Sequence, residues 1–282
     1  MLSYRHGFHA GNHADVLKHA VVSCILARFS GKKKPFSYVE SHAGGGEYTL
    51  DSEWAEKTGE AAKGIIPLLS EQEYPPVLQD YLDLCRSYWK RGKRYPGSPA
   101  LARELTDSSV HLTLMEKHPA EAEHLRQLFG KDKRIHIHER DGFSGLIALT
   151  PPDPIRGLAL IDPSYETHDD WTLATETLLH VRRRWAAGTL ALWYPLLDRR
   201  QREIELLVNN ISYSGFPSIL HVQCRVPAPE AEQGFGLKGS AMIVINPPWK
   251  LDEDIAAFLP WLGKHLAPGL DNPTSLTWLS PN

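Results

Sequence analysis

Apolar residues recur along this chain with two periods. In "ADVLKHAVVSCILARFS", Val16, Leu17, His19, Ala20, Val21, Cys24 and Leu26 fall at helical spacing with Asp15 near the start, which predicts a helix. "PFSYVE" then reads as a short buried strand, and "SHAGGGEYTL" closes it with three consecutive glycines that allow a tight turn and close backbone approach. From Asp51 to Tyr95 the texture turns charged and aromatic with no strand run. This predicts an inserted helical subdomain, residues 51–95, between core segments 1–50 and 96–282. "YPGSPALARELT" re-enters the core, with Ser98 or Pro99 opening a helix. Strand runs then repeat as "VHLTLMEK", "RIHIHERD", "GLALID" and "TLALWYPL", each followed by a segment able to form a helix. That alternation predicts an α/β fold whose mainly parallel sheet is covered on both faces.

The last pair of strand runs breaks the rhythm. Between "SILHVQCRV" and "SAMIVIN" lies only "PAPEAEQGFGLKG", too short and too rich in Pro and Gly for a crossover helix, so these two strands should be antiparallel neighbours. A helix from Leu251 follows, and the apolar "LTWLS" near the end has no assigned element.

Composition narrows the class. The chain has 282 residues, of which 42% are hydrophobic, enough for a large core and unlike a disordered protein. The N-terminus lacks an apolar run after its charges, and no segment approaches the roughly 20 apolar residues that span a bilayer, so a cytoplasmic protein without membrane contact is expected. Cys24, Cys85 and Cys224 are scattered and form no CxxC pair, which fits a reducing compartment and no thiolate metal site. The net charge of -3 argues against a protein that coats nucleic acid by charge alone. Basic clusters nevertheless occur at Lys32 to Lys34, at "KRGKR" from Lys90, at Arg182 to Arg184 and at "DRRQR" from Asp198. Each reads as a solvated face, or jointly as contacts for a phosphate-rich partner.

Two loops compete for the chemistry. "IDPSYE" places Asp162, Pro163, Ser164 and Tyr165 after a strand of the parallel set, whereas "NPPW", Asn246 to Trp249, ends the antiparallel one. In an open parallel sheet ligands bind at the carboxyl ends of the strands, so Asp162 should emerge on the functional edge, on a solvent-facing loop. Asn246 should point to the opposite edge, where "NPPW" stops a strand and starts a helix. Three further features share the edge of Asp162. They are the glycine turn, Glu116 at a strand end where doubly wound folds place an acid for ribose hydroxyls, and Asp141 with Gly142 after the next strand. Taken singly, each also reads as a loop, a solvated carboxylate or a turn.

The loop resembles the D/N/S-P-P-Y/F/W motif of N6-adenine methyltransferases. Together "MLSYRHGFHAGNHADVLKHAV", "SHAGGGEY", "YPGSP", "DGF", "IDPSYE", "ALWYP" and "MIVINPPWKL" resemble the bacterial 23S ribosomal RNA adenine-N6 methyltransferase J family across nearly the whole chain. Some relatives carry the label of involvement in catabolism of external DNA. Ser164 departs from the family's second proline, which loosens the backbone. The resemblance implies a Rossmann-like class I methyltransferase: a mainly parallel seven-stranded sheet with an antiparallel last strand pair and the inserted helical subdomain. It implies S-adenosylmethionine as cofactor, no metal, and a monomer acting on 23S ribosomal RNA in a protein-poor or precursor form. By resemblance His19 with Lys18 beside it, His42 and Ser98 would contact the methionine part of the cofactor. Glu116 would take the ribose, Asp141 and Gly142 the adenine edge, and Asp162 would border the cofactor as well. Asp162 and the Pro163 carbonyl would accept hydrogen bonds from the target amine, and Tyr165 would stack on the target base.

Several other features have structural readings. His6, His9, His13 and His19 lack the Cys or dense carboxylate partners of a metal site, and polar contacts to cofactor or phosphate suit them better. Trp54, Tyr74, Tyr81 and Trp89 of the insertion suit core packing more than base stacking, and "KRGKR" is the better RNA candidate. A DNA adenine or protein glutamine methyltransferase presents a similar planar amine to such a loop. A binding protein that has lost activity and serves in the use of external DNA is the alternative from another class.

Overall fold

The computed structural model describes residues 9–50, 59–227 and 236–279; His6, Trp54 and part of the Pro/Gly-rich connection lie outside them. In chain order the elements are α1 (His13–Ser30), β1 (Ser37–Glu40), β2 (Glu47–Thr49), α2 (Ile65–Leu69), α3 (Gln79–Lys90), β3 (Arg94–Pro96) and α4 (Ser98–Glu104). These are followed by β4 (His111–Glu116), α5 (Pro119–Phe129), β5 (Ile135–Glu139), α6 (Gly142–Leu149), β6 (Gly157–Ile161), α7 (Asp169–Arg184) and β7 (Gly188–Pro195). The chain ends in α8 (Gln201–Ser212), β8 (Ile219–Arg225), β9 (Gly239–Ile245), α9 (Leu251–Leu266) and β10 (Thr274–Trp278).

One sheet runs in the order β10-β8-β9-β7-β6-β1-β4-β5. The β7-β6-β1-β4-β5 block is parallel, while β9 runs antiparallel to both β7 and β8, as the short connection between them required. The sheet has eight strands rather than seven. The additional strand, β10, comes from the unassigned "LTWLS" and pairs antiparallel with β8. Its residues alternate between half-buried and exposed, the pattern of an edge strand, but the run is too short to stand out by period alone.

Alternation along the strands divides the core into two layers. Tyr38, Leu112, Leu114, Leu158 and Leu160 face the cluster that holds α1 and α9, and Val39, Met115, Ala159, Ile161 and Leu192 face that of α6, α7 and α8. Helix α1 begins at Asn12, whose side chain accepts hydrogen bonds from the Ala14 and Asp15 amides at 2.9 and 3.0 Å. It is buried on nearly every face because the sheet lies beneath it and the inserted segment above it. Ile65, Leu68, Leu78, Tyr81 and Leu82 of that segment join the same apolar cluster as α1, and Tyr74 and Trp89 pack at its margin. The segment is pinned at its base by the β2–β3 ribbon. Among the described residues no helix is long and apolar enough to cross a membrane.

Asn246 stands at the amino-terminal edge of the parallel strands, where Ile245 pairs with Leu190 near the start of β7. Its side-chain amide donates to the Gly188 carbonyl at 3.1 Å, its backbone amide donates to the Ser218 carbonyl at 3.0 Å, and its φ of +54° is left-handed. It is a strand stop, remote from Asp162. Asn246→Ala is therefore expected to cost about 1–3 kcal/mol, a fall of a few degrees in Tm, because it removes a half-buried hydrogen bond and leaves alanine in a left-handed φ that asparagine tolerates better. Any activity of the opposite edge should stay within about twofold; wild-type melting with a large loss of activity would place the two loops the other way round.

Candidate active site

The chain leaves β1 towards β4 and β5 on one side and later returns to β6 and β7 on the other, so strand order reverses between β1 and β6. A crevice opens outside the carboxyl ends of strands at such a point. The glycine turn follows β1 and Asp162 follows β6, flanking it, and Glu116 and Asp141 follow β4 and β5 on the same edge.

The centre of this edge is a buried cation. Lys18 points from α1 with its Nζ 2.8 Å from Asp15 Oδ1 and 2.6 Å from Asp162 Oδ2, and lies 5.8 Å over the Trp193 ring. Asp15, one helical turn before Lys18, is itself fixed by the Gly11 amide, which donates to its Oδ2 at 3.0 Å. Burial works to neutralise the Lys18 ammonium, but the Asp15 and Asp162 carboxylates outweigh it and hold its pKa above the ordinary lysine value. The Asp162 carboxylate is only 12% exposed, held inward by this ion pair, although Ser164 and Glu166 of the same loop face solvent as the sequence suggested. Among the described residues its Oδ2 alone is engaged, and Oδ1 is left to accept.

Around the cation the other residues lock together. Glu40, the last residue of β1, is fully buried and accepts hydrogen bonds from Tyr38 Oη at 2.9 Å and from Ser98 Oγ. Burial pushes its carboxyl up to about 8, against the pull of the two hydroxyl donors and the nearby Lys18. Ser98 opens α4, so this contact ties the re-entry point of the chain to the end of β1. His19 stacks on Tyr95 with ring centroids 5.4 Å apart. Its Nδ1 lies 2.8 Å from the Tyr95 hydroxyl, which in turn meets Tyr81 Oη at 3.0 Å. His42 Nδ1 is 2.8 Å from Ser41 Oγ, and its ring meets Phe143 edge-on at 4.8 Å. Burial lowers the His42 pKa to about 4, so the imidazole is neutral at pH 7.

The rim is built from backbone as much as from side chains. Gly44 takes a φ of +60° and donates its amide to Glu116 Oε2 at 2.8 Å, while the His118 amide donates to Oε1 at 2.7 Å. Burial raises the Glu116 pKa despite these two donors. Each oxygen keeps a further lone pair for a hydroxyl donor. Asp141 caps α6 by accepting from the Ser144 amide and hydroxyl, both at 3.0 Å, with Lys117 Nζ 3.4 Å away. Partial burial works to raise its pKa, but the Ser144 hydrogen bonds and Lys117 prevail and lower it. Gly142 is required sterically, because a Cβ there would lie 1.9 Å from the Ser41 carbonyl oxygen. The start of α6 thus lies directly against the first loop.

In the Asp-Pro-Ser-Tyr loop Pro163 is buried and Ser164 exposed. Tyr165 has a left-handed φ of +53°, its ring lies 4.4 Å from that of Trp171, and its hydroxyl donates to the Trp193 carbonyl at 2.9 Å. It is 6% exposed. In this conformation the ring anchors the loop, rather than offering a face for stacking as its place in the motif suggested, because the backbone turn aims it into the core.

Lys18, Ser98, His42, Glu116, Asp141, Gly142 and Asp162 thus meet at one edge, and His19 ties the same helix to the β2–β3 ribbon. Sequence reasoning passed over Glu40, the last residue of the strand run "PFSYVE". It also read Asp15 only as a helix-start residue, although its i,i+3 spacing to Lys18 was a visible signal. A cavity of about 490 Å³ lined by Ser37, His111, His136 and Pro152 lies at the other edge and is unrelated to these groups. His9 pairs with Glu60, and among the described residues no group of three His, Cys, Asp or Glu side chains is placed to hold a metal.

Comparison with known proteins adds to this geometry. The family described as ribosomal RNA large subunit methyltransferase D, RlmJ, matches residues 33–280. Ribosomal RNA large subunit methyltransferase J of Escherichia coli K12 is 41% identical over 283 residues, and that of Haemophilus influenzae Rd 39% over 284, each alignment covering 100% of both chains. The crystal structure of a Legionella pneumophila Philadelphia 1 protein superposes with a TM-score of 0.84 at 29% identity, covering 96% of this chain and 97% of the other.

The raised carboxyl of Glu40 has a measurable consequence. A group whose folded pKa of about 8 exceeds its unfolded value contributes stability that is complete at low pH and is lost as pH rises through 8. Glu40→Gln is expected to flatten the fall in Tm between pH 5 and pH 9 relative to wild type. Parallel Tm curves for the two proteins would show that Glu40 is ionised throughout.

Proposed function

Because this chain belongs to the ribosomal RNA large subunit methyltransferase J family, we propose that it transfers a methyl group from S-adenosylmethionine to the exocyclic N6 of an adenine in 23S ribosomal RNA. The observation that carries this reading is the Asp162 carboxylate, held by Lys18 beside the buried Pro163 at the switch point of the sheet.

The residues of the crevice fit the cofactor. Glu116, oriented by two backbone amides, suits a ribose diol, and Asp141 with Gly142 at the start of α6, packed against the first loop, suits an adenine edge. Lys18, His42 and Ser98 suit an amino acid moiety, His42 as a neutral ring, and His19, whose ring is engaged by Tyr95, would support them from the same helix as Lys18. When bound, the cofactor supplies a sulfonium that activates its own methyl group.

An adenine amine is a weak nucleophile because its lone pair is delocalised into the ring. Asp162 Oδ1 and the Pro163 carbonyl would each accept one N6 hydrogen, which would localise the lone pair on the nitrogen, and Asp162 would receive the proton that N6 releases. Lys18 fixes the carboxylate through Oδ2 so that Oδ1 stays in position. Tyr165, through its hydroxyl on Trp193, sets the shape of the loop. The amine is inaccessible within a duplex, so the target nucleotide is unpaired or flipped out. "KRGKR", whose residues from Arg91 to Arg94 are exposed, and "DRRQR" lie towards this edge and suit RNA phosphates.

Labelled methyl transfer to deproteinised 23S ribosomal RNA, with matched duplex DNA alongside and nucleoside analysis afterwards, tests the reading. N6-methyladenosine in the RNA alone is the expected result. Label in DNA would reassign the substrate, and no label in either, with cofactor binding intact, would favour the binding-protein alternative. Asp162→Asn is expected to lower the transfer rate by about 10²-fold or more, while Lys18 keeps Asp15 as partner and the fold persists. Unchanged turnover would remove Asp162 from the mechanism.

A further inference from the structure

We propose that the amino-terminal edge of the sheet, opposite the candidate active site, is a second RNA contact surface that takes a single-stranded segment of the substrate. The inference rests on the reading of the substrate as RNA and extends it to a face that no part of the proposed chemistry uses.

The topology divides the four basic clusters between the two edges. "KRGKR" and "DRRQR" go to the carboxyl edge, whereas Lys32 to Lys34 precede β1 and Arg182 to Arg184 close α7 before β7, both on the amino edge. Lys32, Lys33, Lys34, Arg183 and Arg184 are all exposed. The same edge carries Tyr213 and Trp249, 87% and 77% exposed, in the turns that precede β8 and follow β9. These exposures exceed those of the other exposed large hydrophobic side chains among the described residues. A tryptophan and a tyrosine this bare contribute nothing to the core, and "NPPW" needs no aromatic residue to stop a strand.

Hydrogen bonds and ring contacts join these pieces into one rim. Arg156 donates to the carbonyls of Lys34 and Phe29 at 3.1 and 2.8 Å, and the Trp185 indole donates to the Ile155 carbonyl. Arg182 donates to the Ala186 carbonyl and lies 5.6 Å from the Phe216 ring centre, three residues beyond Tyr213. The Asn246 amide on Ser218 links the turn of Tyr213 to that of Trp249, and Arg28 donates to the Lys250 carbonyl at 3.2 Å. Against these cations stand Asp153 and the acidic first turn of α9. In that turn Glu253 pairs with Lys250 and Asp254 with Arg28. Cations set among bare aromatic rings are the chemistry that binds single-stranded nucleic acid, phosphates on the former and bases on the latter. The eight residues of β7 separate the two edges by about 25 Å, so one RNA reaches both only if it is long enough to pass round the molecule.

Two surface variants test this, Tyr213→Ala/Trp249→Ala and Lys32→Glu/Lys33→Glu/Arg183→Glu, each checked for wild-type Tm. The probes are labelled oligouridylate, a matched RNA duplex and deproteinised 23S ribosomal RNA. The aromatic variant is expected to bind oligouridylate about tenfold more weakly. The charge variant should bind it more weakly with a shallower salt dependence, by about 0.7 in slope for each phosphate it no longer neutralises. Duplex binding should be affected less by the aromatic variant. On 23S ribosomal RNA both should raise KM with kcat unchanged, and Asp162→Asn should bind oligouridylate like wild type. If wild type methylates no RNA but the rim variants still lose oligouridylate, the proposed reaction fails and this surface stands. If wild type methylates RNA and both variants bind oligouridylate and 23S ribosomal RNA as wild type does, the surface is overturned. Concentration-dependent self-association abolished by the aromatic variant, with RNA binding unchanged, would also overturn it.

Discussion

A lysine ammonium buried under a helix has to be neutralised where it lies. Leaving one in the interior without a partner costs several kcal/mol, and Lys18 meets the requirement with one carboxylate from its own helix and one from the loop after β6. The first partner, Asp15, makes the cation a fixed part of α1. The second, Asp162, makes the loop answerable to α1. Two segments 144 residues apart in sequence thereby meet at a point set by electrostatics, and the crevice between β1 and β6 acquires its shape from it.

The same constraint explains the crowding around it. With the sheet below and the inserted segment above, α1 has little solvent face, and its polar residues must find partners inside. His19 finds the tyrosines of α3 and β3, and Lys18 finds the carboxylates. Glu40 stays close to neutral by burial and takes hydroxyl hydrogen bonds from Ser98 and Tyr38. Buried polar groups of this kind are costly when half satisfied, and their mutual pairing fixes a single arrangement of the edge before any ligand arrives.

Much of this was legible from pattern and direction. The short, Pro/Gly-rich link before β9 reversed that strand, and the reversal put Asn246 on the edge opposite Asp162. Glu116, Asp141 and Gly142 followed from strand ends in the parallel block. What escaped depended on backbone detail or on packing from elsewhere in the chain. The inward turn of Tyr165 comes from one left-handed φ. The burial of Asp162 comes from a lysine on another element, and β10 is too brief to declare itself by period. Helix α1 was legible as a helix, but nothing in its own residues announces that the insertion covers its outer face.

The tie between α1 and the loop is tested most directly by a double-mutant cycle of Lys18→Met and Asp162→Asn, followed by equilibrium unfolding. If the ion pair organises this edge, the two changes together should depart from the sum of the single changes by about 1–3 kcal/mol. Effects that add to within about 0.5 kcal/mol would mean that the loop and the helix are held together by something else.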